Sequence, residues 1–392
     1  MEYKVAHFIR KYSQLKASFI INQVENHIQF NPVIIYKLAS HKKAGGFAEV
    51  DNLKYPHTSL TNPDNILKKL EFSITKLITK KDVEIINTFL NAQKADILHF
   101  HYGTCAGIFL PFTKKNKIPS VVSFYGYDSS GFPNYFGGYG KQYLRKRVFP
   151  FMDKILAMSP DMKNDLIRIG CPPDKIIVHH HGNDVQKFYL NRNYIQNGKT
   201  VKFLIISGLT PQKGHLFLLG SFKEACKVNA NISLTIVGDG VERNKINKFI
   251  TENNLSGKVD FKKSVVYGSP AHLEYLQNHD IFIHPSITDV NGDKEGIPGA
   301  IIEAMASGLP VISTYHAGIP YIIENNKSGI LVNEFDYKAL TQSILDIAGN
   351  HDLREKYGKQ GQLFALNELS LKHREEELER IYIELIKSKK QD

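Results

Sequence analysis

Short runs of β-branched and aromatic residues alternate along this chain with stretches whose apolar residues recur every three or four positions. The first pattern predicts strands buried on both faces, and the second predicts amphipathic helices. In the first half, strands are predicted at Lys4–Arg10, Pro32–Leu38, Asp96–His101, Ser120–Tyr125, Lys154–Met158 and Lys175–His179. Helices are predicted between them at Asn65–Asn91 and Pro160–Ile169. That alternation predicts a parallel sheet covered by helices. The segment Asp184–Lys199 is polar, rich in Asn and weakly periodic, so it reads as a linker. A second series follows, with strands predicted at Val201–Ser207, Ile232–Val237, Val259–Lys262, Asp280–His284, Pro310–Thr314 and Gly329–Val332. Its helices are predicted at Gly214–Val228, Val241–Asn254, Pro270–Gln277, Pro298–Ser307 and Tyr337–Ala348, and a last one at about Ser370–Lys389. The fold class is α/β, with two doubly wound domains and a cleft between them. Ligands of such sheets sit beyond the carboxyl ends of the strands, so the residues after each strand are the ones to weigh.

Composition narrows this only a little. A chain of 392 residues with 42% hydrophobic content suits two globular domains. The three cysteines, Cys105, Cys171 and Cys226, are too few and too scattered for a disulfide framework or a zinc spacing, and fit a reducing compartment. Charges interrupt the apolar run in MEYKVAHFIRKYSQLKASFI, so it does not read as a signal peptide. No run approaches the roughly 20 apolar residues of a membrane span. The expected location is cytoplasmic, with peripheral attachment to the inner face of the cell membrane as an option. The net charge of +11 suits a phosphorylated ligand, an anionic membrane or a nucleic acid. No nucleic-acid-binding motif accompanies it, so nucleic acid is not expected as a partner.

The densest chemistry lies in the second domain. The Asp280–His284 strand leads through Pro285-Ser286 into a polar loop, and then into Glu295-Gly296-Ile297-Pro298-Gly299, where a helix begins. Pro298 fits the first helical position. Glycines permit close approach of a ligand to the backbone. A helix start offers free N–H groups and the positive end of a dipole to a phosphate. Glu303 lies inside the helix and Glu295 before it, too far apart to act together on one bond. Each suits hydroxyls at a different end of one ligand, with phosphates held between them. Two other strand ends point the same way. Lys213 precedes a helix after the turn at Ser207-Gly208-Leu209, and Gly238-Asp239-Gly240 follows the next strand.

This ordered block, with His284-Pro-Ser, Gly292-Asp-Lys-Glu295-Gly-Ile-Pro-Gly and Glu303-Ala-Met-Ala-Ser-Gly, resembles the Glu-x7-Glu region of family 4 glycosyltransferases. Gly-Asp-x-Glu-Gly-Ile-Pro looks most like the branch that builds colanic acid, other exopolysaccharides and O-antigens. The resemblance implies the GT-B fold of two Rossmann-like domains. These are an acceptor-side domain at 1–190 and a nucleotide-sugar domain at 191–369, with a final helix at 370–392 that packs back on the first. It implies a retaining hexosyltransferase that takes UDP- or GDP-linked sugar to a hydroxyl of a growing surface glycan, free or lipid-linked. Glu295 would hold sugar hydroxyls and Glu303 the ribose. The Gly296–Ala300 backbone, with Gly208, Gly238 and Gly240 nearby, would line the donor, and Lys213 would neutralise the diphosphate. No metal or other cofactor is expected, since Lys213 and the helix dipole replace it. Adjacent strand residues face opposite ways, so His179, His180 and His181 do not converge on an ion.

Three positions depart from the family pattern. Gly208 stands where the family carries Arg, Tyr125 where it carries His, and Tyr321 where it carries Glu. Arg10, Lys11 or Arg243 could compensate. In the first domain, His99 and His101 share one face of their strand, and His101, Tyr125 and Asp128 are the acceptor-side and catalytic candidates. Asn134–Phe151 mixes Tyr, Phe and basic residues and suits either a membrane-facing rim or a surface helix. Two alternatives stand beside transfer. One is a weak or inactive homologue that only binds nucleotide sugar or regulates, and the other is a sugar-nucleotide epimerase.

Overall fold

The computed structural model describes residues 3–11, 14–15, 18–38, 54–60, 66–194 and 200–391. Two compact units divide the chain, one of residues 1–182 with 371–392 and the other of residues 183–370. The first holds strands β1 (Tyr3–Lys11), β2 (Phe30–Leu38), β3 (His57–Ser59), β4 (Ile97–His101), β5 (Ser120–Ser123), β6 (Lys154–Ala157) and β7 (Ile176–Val178). They form one sheet in the order β3-β2-β1-β4-β5-β6-β7, and every pairing in it is parallel. The second holds β8 (Val201–Ile206), β9 (Ile232–Val237), β10 (Val259–Lys262), β11 (Ile281–His284), β12 (Val311–Thr314) and β13 (Ile330–Val332). Their order is β10-β9-β8-β11-β12-β13, again all parallel. Each unit is therefore a doubly wound α/β fold.

Burial explains why the strands were readable. β4 and β5 are buried at every residue, as are β11 and β12. A strand covered on both faces needs a continuous apolar run, which is the pattern used to find it. The expected Asn65–Asn91 helix is instead two helices, Ile66–Thr75 and Lys80–Gln93, with residue 65 outside the described residues. Lys76 takes a left-handed φ of 52° and ends the first, and a capping box between Thr79 and Asp82 starts the second. The short strand β3 and the Ser18–Glu25 and His351–Glu368 helices were not anticipated, while the Gly131–Arg147 helix, interrupted by non-helical backbone at 135–138, overlaps the surface-helix reading of Asn134–Phe151.

The described part of the 184–199 segment does not behave as a loose connector. Asp184 caps a short Val185–Phe188 helix, whose Phe188 is fully buried. Arg192 donates from Nε to the Ser307 carbonyl at 3.0 Å and from Nη1 to that of His279 at 2.8 Å. A guanidinium satisfied by helix-end carbonyls ties this stretch to the second unit. The remainder, 195–199, lies outside the described residues.

The Leu371–Lys389 helix belongs to the first unit. Its Leu378, Tyr382, Leu385 and Ile386 pack with Val5, Phe30, Ile97, Val121 and Leu156 of the sheet. The same helix carries Glu375 and Glu379 inward, 2% and 0% exposed, against the ring of His27. Burial works against a charged imidazole there, but Glu375 and Glu379 outweigh it and raise His27 to about 9. The folded pKa lies above the ordinary value of 6.5. This contribution is therefore complete below pH 6.5 and is lost as pH rises through about 9. Urea unfolding between pH 6.5 and 9.5 should show stability falling across that window, by on the order of 2 kcal/mol. The His27→Gln variant should show a flatter profile over the same range.

Candidate active site

Lys213 is positioned by a backbone constraint. After β8 the chain turns through Pro211–Lys213 and enters the His215–Val228 helix. Gly214 between them has φ 68°, and a Cβ there would lie 2.0 Å from the Pro285 carbonyl oxygen. Only glycine lets the turn press against the end of β11. The Ile287 N–H donates to the Gln212 carbonyl at 2.9 Å and locks the two loops together. The Lys213 Nζ then reaches Glu295 Oε1 at 2.7 Å, with side chains 19% and 13% exposed. Two residues expected to meet different parts of one ligand thus meet each other.

Glu295 is held from behind by a chain that the sequence reading missed. Its N–H donates to His316 Nε2 at 3.1 Å. That nitrogen therefore has no hydrogen, so Nδ1 carries it and donates to Glu334 Oε1 at 2.6 Å. Glu334 also accepts from the Thr288 N–H at 2.7 Å. Burial opposes the charge on Glu334, but the His316 and Thr288 hydrogen bonds hold its carboxyl below the ordinary range. His316 and Glu334 each lie two residues past a strand, β12 and β13, so the strand-end rule contained the signal.

The helix after Glu295 runs from Gly299 to Ala306, with Pro298 as its cap residue and no side-chain cap. The Ile301 N–H donates to the Pro298 carbonyl at 3.1 Å, and those of Gly299 and Ala300 are left for a ligand. Gly296, Ile297 and Pro298 are buried, and Ile297 joins an apolar cluster with Phe188, Ile301 and Ile302. Glu303 is 6% exposed, with Oε2 3.3 Å from His272 Nε2. The Gly268 N–H donates to His272 Nδ1 at 3.1 Å, so the His272 hydrogen sits on Nε2 and faces the carboxyl. Burial alone pushes Glu303 up to about 8.

Other candidates are placed differently from expectation. Gly238 and Gly240 serve backbone packing, since a Cβ on either would lie 2.0 Å from the Ser207 oxygen or 2.5 Å from the Leu209 oxygen. Gly208 has open space around it. Arg243 is occupied, donating to Asp239 at 2.9 Å and to the Gly238 carbonyl at 2.7 Å. Tyr321 is 43% exposed and lines a cavity of about 460 Å³ with Pro320, Glu324, Lys327 and Phe364, apart from the predicted residues. His284, at the end of β11, is fully buried with neither ring nitrogen hydrogen-bonded among the described residues. Burial, then Lys213, His215 and His316, keep it well below the ordinary histidine value.

In the first unit, His101 and Asp128 are fully buried. Asp128 accepts from the Gly103 N–H at 2.8 Å and the Tyr125 N–H at 3.0 Å. It ties the turn after β4 to the turn after β5, and burial raises its carboxyl to about 6. Both oxygens are spent on the backbone, so Asp128 shapes the loop instead of presenting a carboxylate. His101 lies behind Tyr125, its Nδ1 2.7 Å from the half-buried tyrosine hydroxyl. Tyr125 therefore fronts the position expected of His101. His179 and His180 pack against the turn at 371–374, with His179 Nε2 2.9 Å from the Arg374 carbonyl. His7, His99 and His101 each bring one ring nitrogen within 4.8 Å of the others, a grouping across β1 and β4 that the sequence did not reveal.

Two doubly wound parallel-sheet units make up the GT-B fold. Residues 72–187 match the model "Glycosyltransferase Family 4", and residues 189–364 match "Glycosyl transferases group 1". Both models are of glycosyltransferases, and between them the chain resembles that group over residues 72–187 and 189–364. It is 34% identical over 262 residues to the amylovoran biosynthesis glycosyltransferase AmsK of Erwinia amylovora, covering 65% of this chain and 61% of that one. It is 31% identical over 268 residues to the putative colanic acid biosynthesis glycosyltransferase WcaL of Salmonella typhimurium, covering 67% and 64%. The chain thus spans somewhat less than two thirds of the length of these curated relatives. In fold it resembles Anabaena HepE in complex with UDP and glucose, with TM-score 0.75, 15% identity, and 97% and 99% of the two chains covered. A glycosyltransferase of Rickettsia africae gives TM-score 0.72 at 21% identity, covering 98% and 99%. No described helix is long and apolar enough to cross a membrane.

The Gly214 constraint is directly testable. Gly214→Ala should lower stability by about 2 kcal/mol or more, through the clash and the left-handed φ. Gly208→Ala should leave it within about 0.5 kcal/mol. Chemical denaturation of the two variants makes the comparison.

Proposed function

We propose that this protein is a retaining, metal-independent hexosyltransferase that carries sugar from a UDP- or GDP-linked donor to a hydroxyl of a growing surface glycan, free or lipid-linked. The observation that carries this reading is the Lys213–Glu295 contact beside the free N–H groups of the Gly299–Ala306 helix. A cation, a helix dipole and a carboxylate together suit a diphosphate with a sugar attached. In the chemistry, the bond between the anomeric carbon and the phosphate oxygen breaks while the acceptor oxygen bonds to the same face. The departing phosphate takes the acceptor proton, and Lys213 and the helix start stabilise the charge that develops on it. Glu303, buried on the same helix, accepts from ribose hydroxyls. The names of the curated relatives, in amylovoran and colanic acid biosynthesis, support the glycan acceptor.

A lipid-linked acceptor or a membrane-facing position draws support from the segment Gly131–Arg147, whose helix is interrupted at Tyr135–Gly138. Tyr135, Phe136 and Tyr139 are 51%, 79% and 44% exposed there, and Arg145 and Lys146 follow on the surface. Aromatic side chains beside basic ones suit an anionic interface. The activity is tested by sugar transfer from UDP- and GDP-hexoses to lipid-linked oligosaccharide, with and without EDTA and anionic vesicles. Transfer should survive EDTA and rise with vesicles. Glu295→Ala should lower kcat by about 10²–10³-fold with the fold intact. Equal turnover in that variant sinks the assignment. Wild-type binding without any transfer establishes the second reading, a nucleotide-sugar-binding homologue, which the uncharged Gly208 turn favours.

Gly208 offers an independent check. With no atom within 4 Å of its Cβ position, an arginine fits there. One added charge-assisted hydrogen bond to phosphate is worth about 1.5–3 kcal/mol. Gly208→Arg should therefore bind nucleoside diphosphate roughly 10–100-fold more tightly by calorimetry. Unchanged affinity would mean that the phosphates do not lie at this turn.

A further inference from the structure

Behind Tyr125 runs a line of buried polar side chains, an ion pair followed by three hydrogen bonds, that the proposed chemistry does not use. Glu375 Oε1 lies 2.6 Å from His27 Nδ1. His27 Nε2 lies 2.9 Å from His7 Nε2. His7 Nδ1 lies 2.9 Å from His101 Nε2, and His101 Nδ1 lies 2.7 Å from the Tyr125 hydroxyl. His7 and His101 are 0% exposed and the His27 side chain 1%, which screens the line from bulk water.

A neutral imidazole has one N–H and one lone pair, so the choice at one ring dictates the choice at the next. When the Glu375–His27 pair is imidazolium and carboxylate, His27 Nε2 donates to His7 Nε2. His7 must then donate from Nδ1 to His101, and His101 from Nδ1 to the Tyr125 oxygen. The tyrosine hydrogen is left to point away from the line. When the pair lacks that proton, every N–H reverses and Tyr125 donates inward to His101.

A second branch favours the outward arrangement. The Tyr382 hydroxyl lies 2.5 Å from His99 Nδ1, and His99 Nε2 lies 2.7 Å from Ser123 Oγ. With no other partner for Tyr382 among the described residues, its hydrogen goes to His99, and His99 donates onward to Ser123. The Ser123 hydroxyl, which also bonds to Tyr125, then has its hydrogen free for the phenol oxygen.

We propose that the buried Glu375–His27 pair, acting through His7 and His101, fixes the Tyr125 hydroxyl as a hydrogen-bond donor directed at a ligand oxygen, of a phosphate or a sugar. His27, His7 and His101 are positioning residues in this scheme, and Tyr125 is the group that meets the ligand. Around His27, the groups that can bias the proton are Glu375, Glu379 and Tyr382 from the 371–389 helix, His7 from β1, and His99 and His101 from β4. The Glu379 carboxylate accepts from the Ile28 and Gln29 N–H groups and stays ionised. Burial pushes His101 down to about 3 and His7 well below its ordinary value. His27, near 9, keeps the proton at neutral pH.

The test reads tautomers directly, in the free full-length chain and independently of any transfer activity. The protein is labelled with ¹⁵N-histidine, and long-range ¹H–¹⁵N spectra are assigned with single His→Gln variants. At pH 7.5, His27 should be doubly protonated, with His7 and His101 both carrying hydrogen on Nδ1. By pH 10, His7 and His101 should switch to Nε2–H together as His27 deprotonates. Glu375→Gln should move that switch down by more than about one pH unit. If this variant does not fold, the wild-type titration alone decides. A His101 hydrogen on Nε2 at pH 7.5, or independent switching of His7 and His101, overturns the proposal.

Discussion

A parallel sheet places every loop that follows a strand along one edge, and the candidate site depends on that constraint more than on any single contact. Lys213 follows β8, His284 ends β11, Glu295 lies in the loop beyond it, His316 follows β12 and Glu334 follows β13. Residues spread over more than a hundred positions are gathered because β8, β11, β12 and β13 are neighbours in the sheet. Local forces only refine the result. Gly214 lets one turn press on Pro285, and the Glu334–His316–Glu295 chain fixes the rim of the next loop.

The first unit answers a different physical problem, the burial of ionisable groups. Glu375, Glu379, His7, His99 and His101 are all essentially inaccessible. An isolated buried charge costs several kcal/mol, so such groups persist only where they satisfy one another. Here the carboxylates arrive on the 371–389 helix, far along the chain from the histidines of β1 and β4. The helix thus contributes an apolar seam through Leu378, Leu385 and Ile386 and also the counter-charge that lets the histidine core exist. One segment supplies both hydrophobic closure and electrostatic closure.

The legibility of the sequence follows the same division. Strands buried on both faces announce themselves, and the Pro270–Gln277 helix was predicted to the residue, where the structure shows Ser269 capping it with proline at its start. The Glu295–Glu303 block was visible because its glycines, proline and carboxylates are contiguous. His316 and Glu334 were not, because a histidine and a glutamate after different strands carry no local pattern. The histidine line was hidden for a related reason. His99 and His101 share a face by simple alternation, but His7, His27 and Glu375 join them only through strand order and the docking of a distant helix. Asp128 was singled out because a polar residue after a strand suggests a ligand contact, and its two bonds to backbone N–H groups carry no local signal in the sequence.

The pairing of Lys213 with Glu295 bears on how a donor would be held. Both side chains are mostly buried, so the ion pair is screened by water less than a surface pair. On the proposed function, a diphosphate entering at the Gly299 helix start would compete for the ammonium with two formal charges and bring sugar hydroxyls to replace the lysine at the carboxylate. The exchange would give the lysine a new anionic partner and leave the carboxylate to accept from neutral hydroxyls, with the helix start sharing the added negative charge. A lone lysine in the same position would have to be desolvated without compensation in the empty protein. On that proposal the carboxylate would serve twice, as a partner for the lysine before the ligand arrives and as a hydroxyl acceptor afterwards. His316 and Glu334 keep its backbone in place through the change.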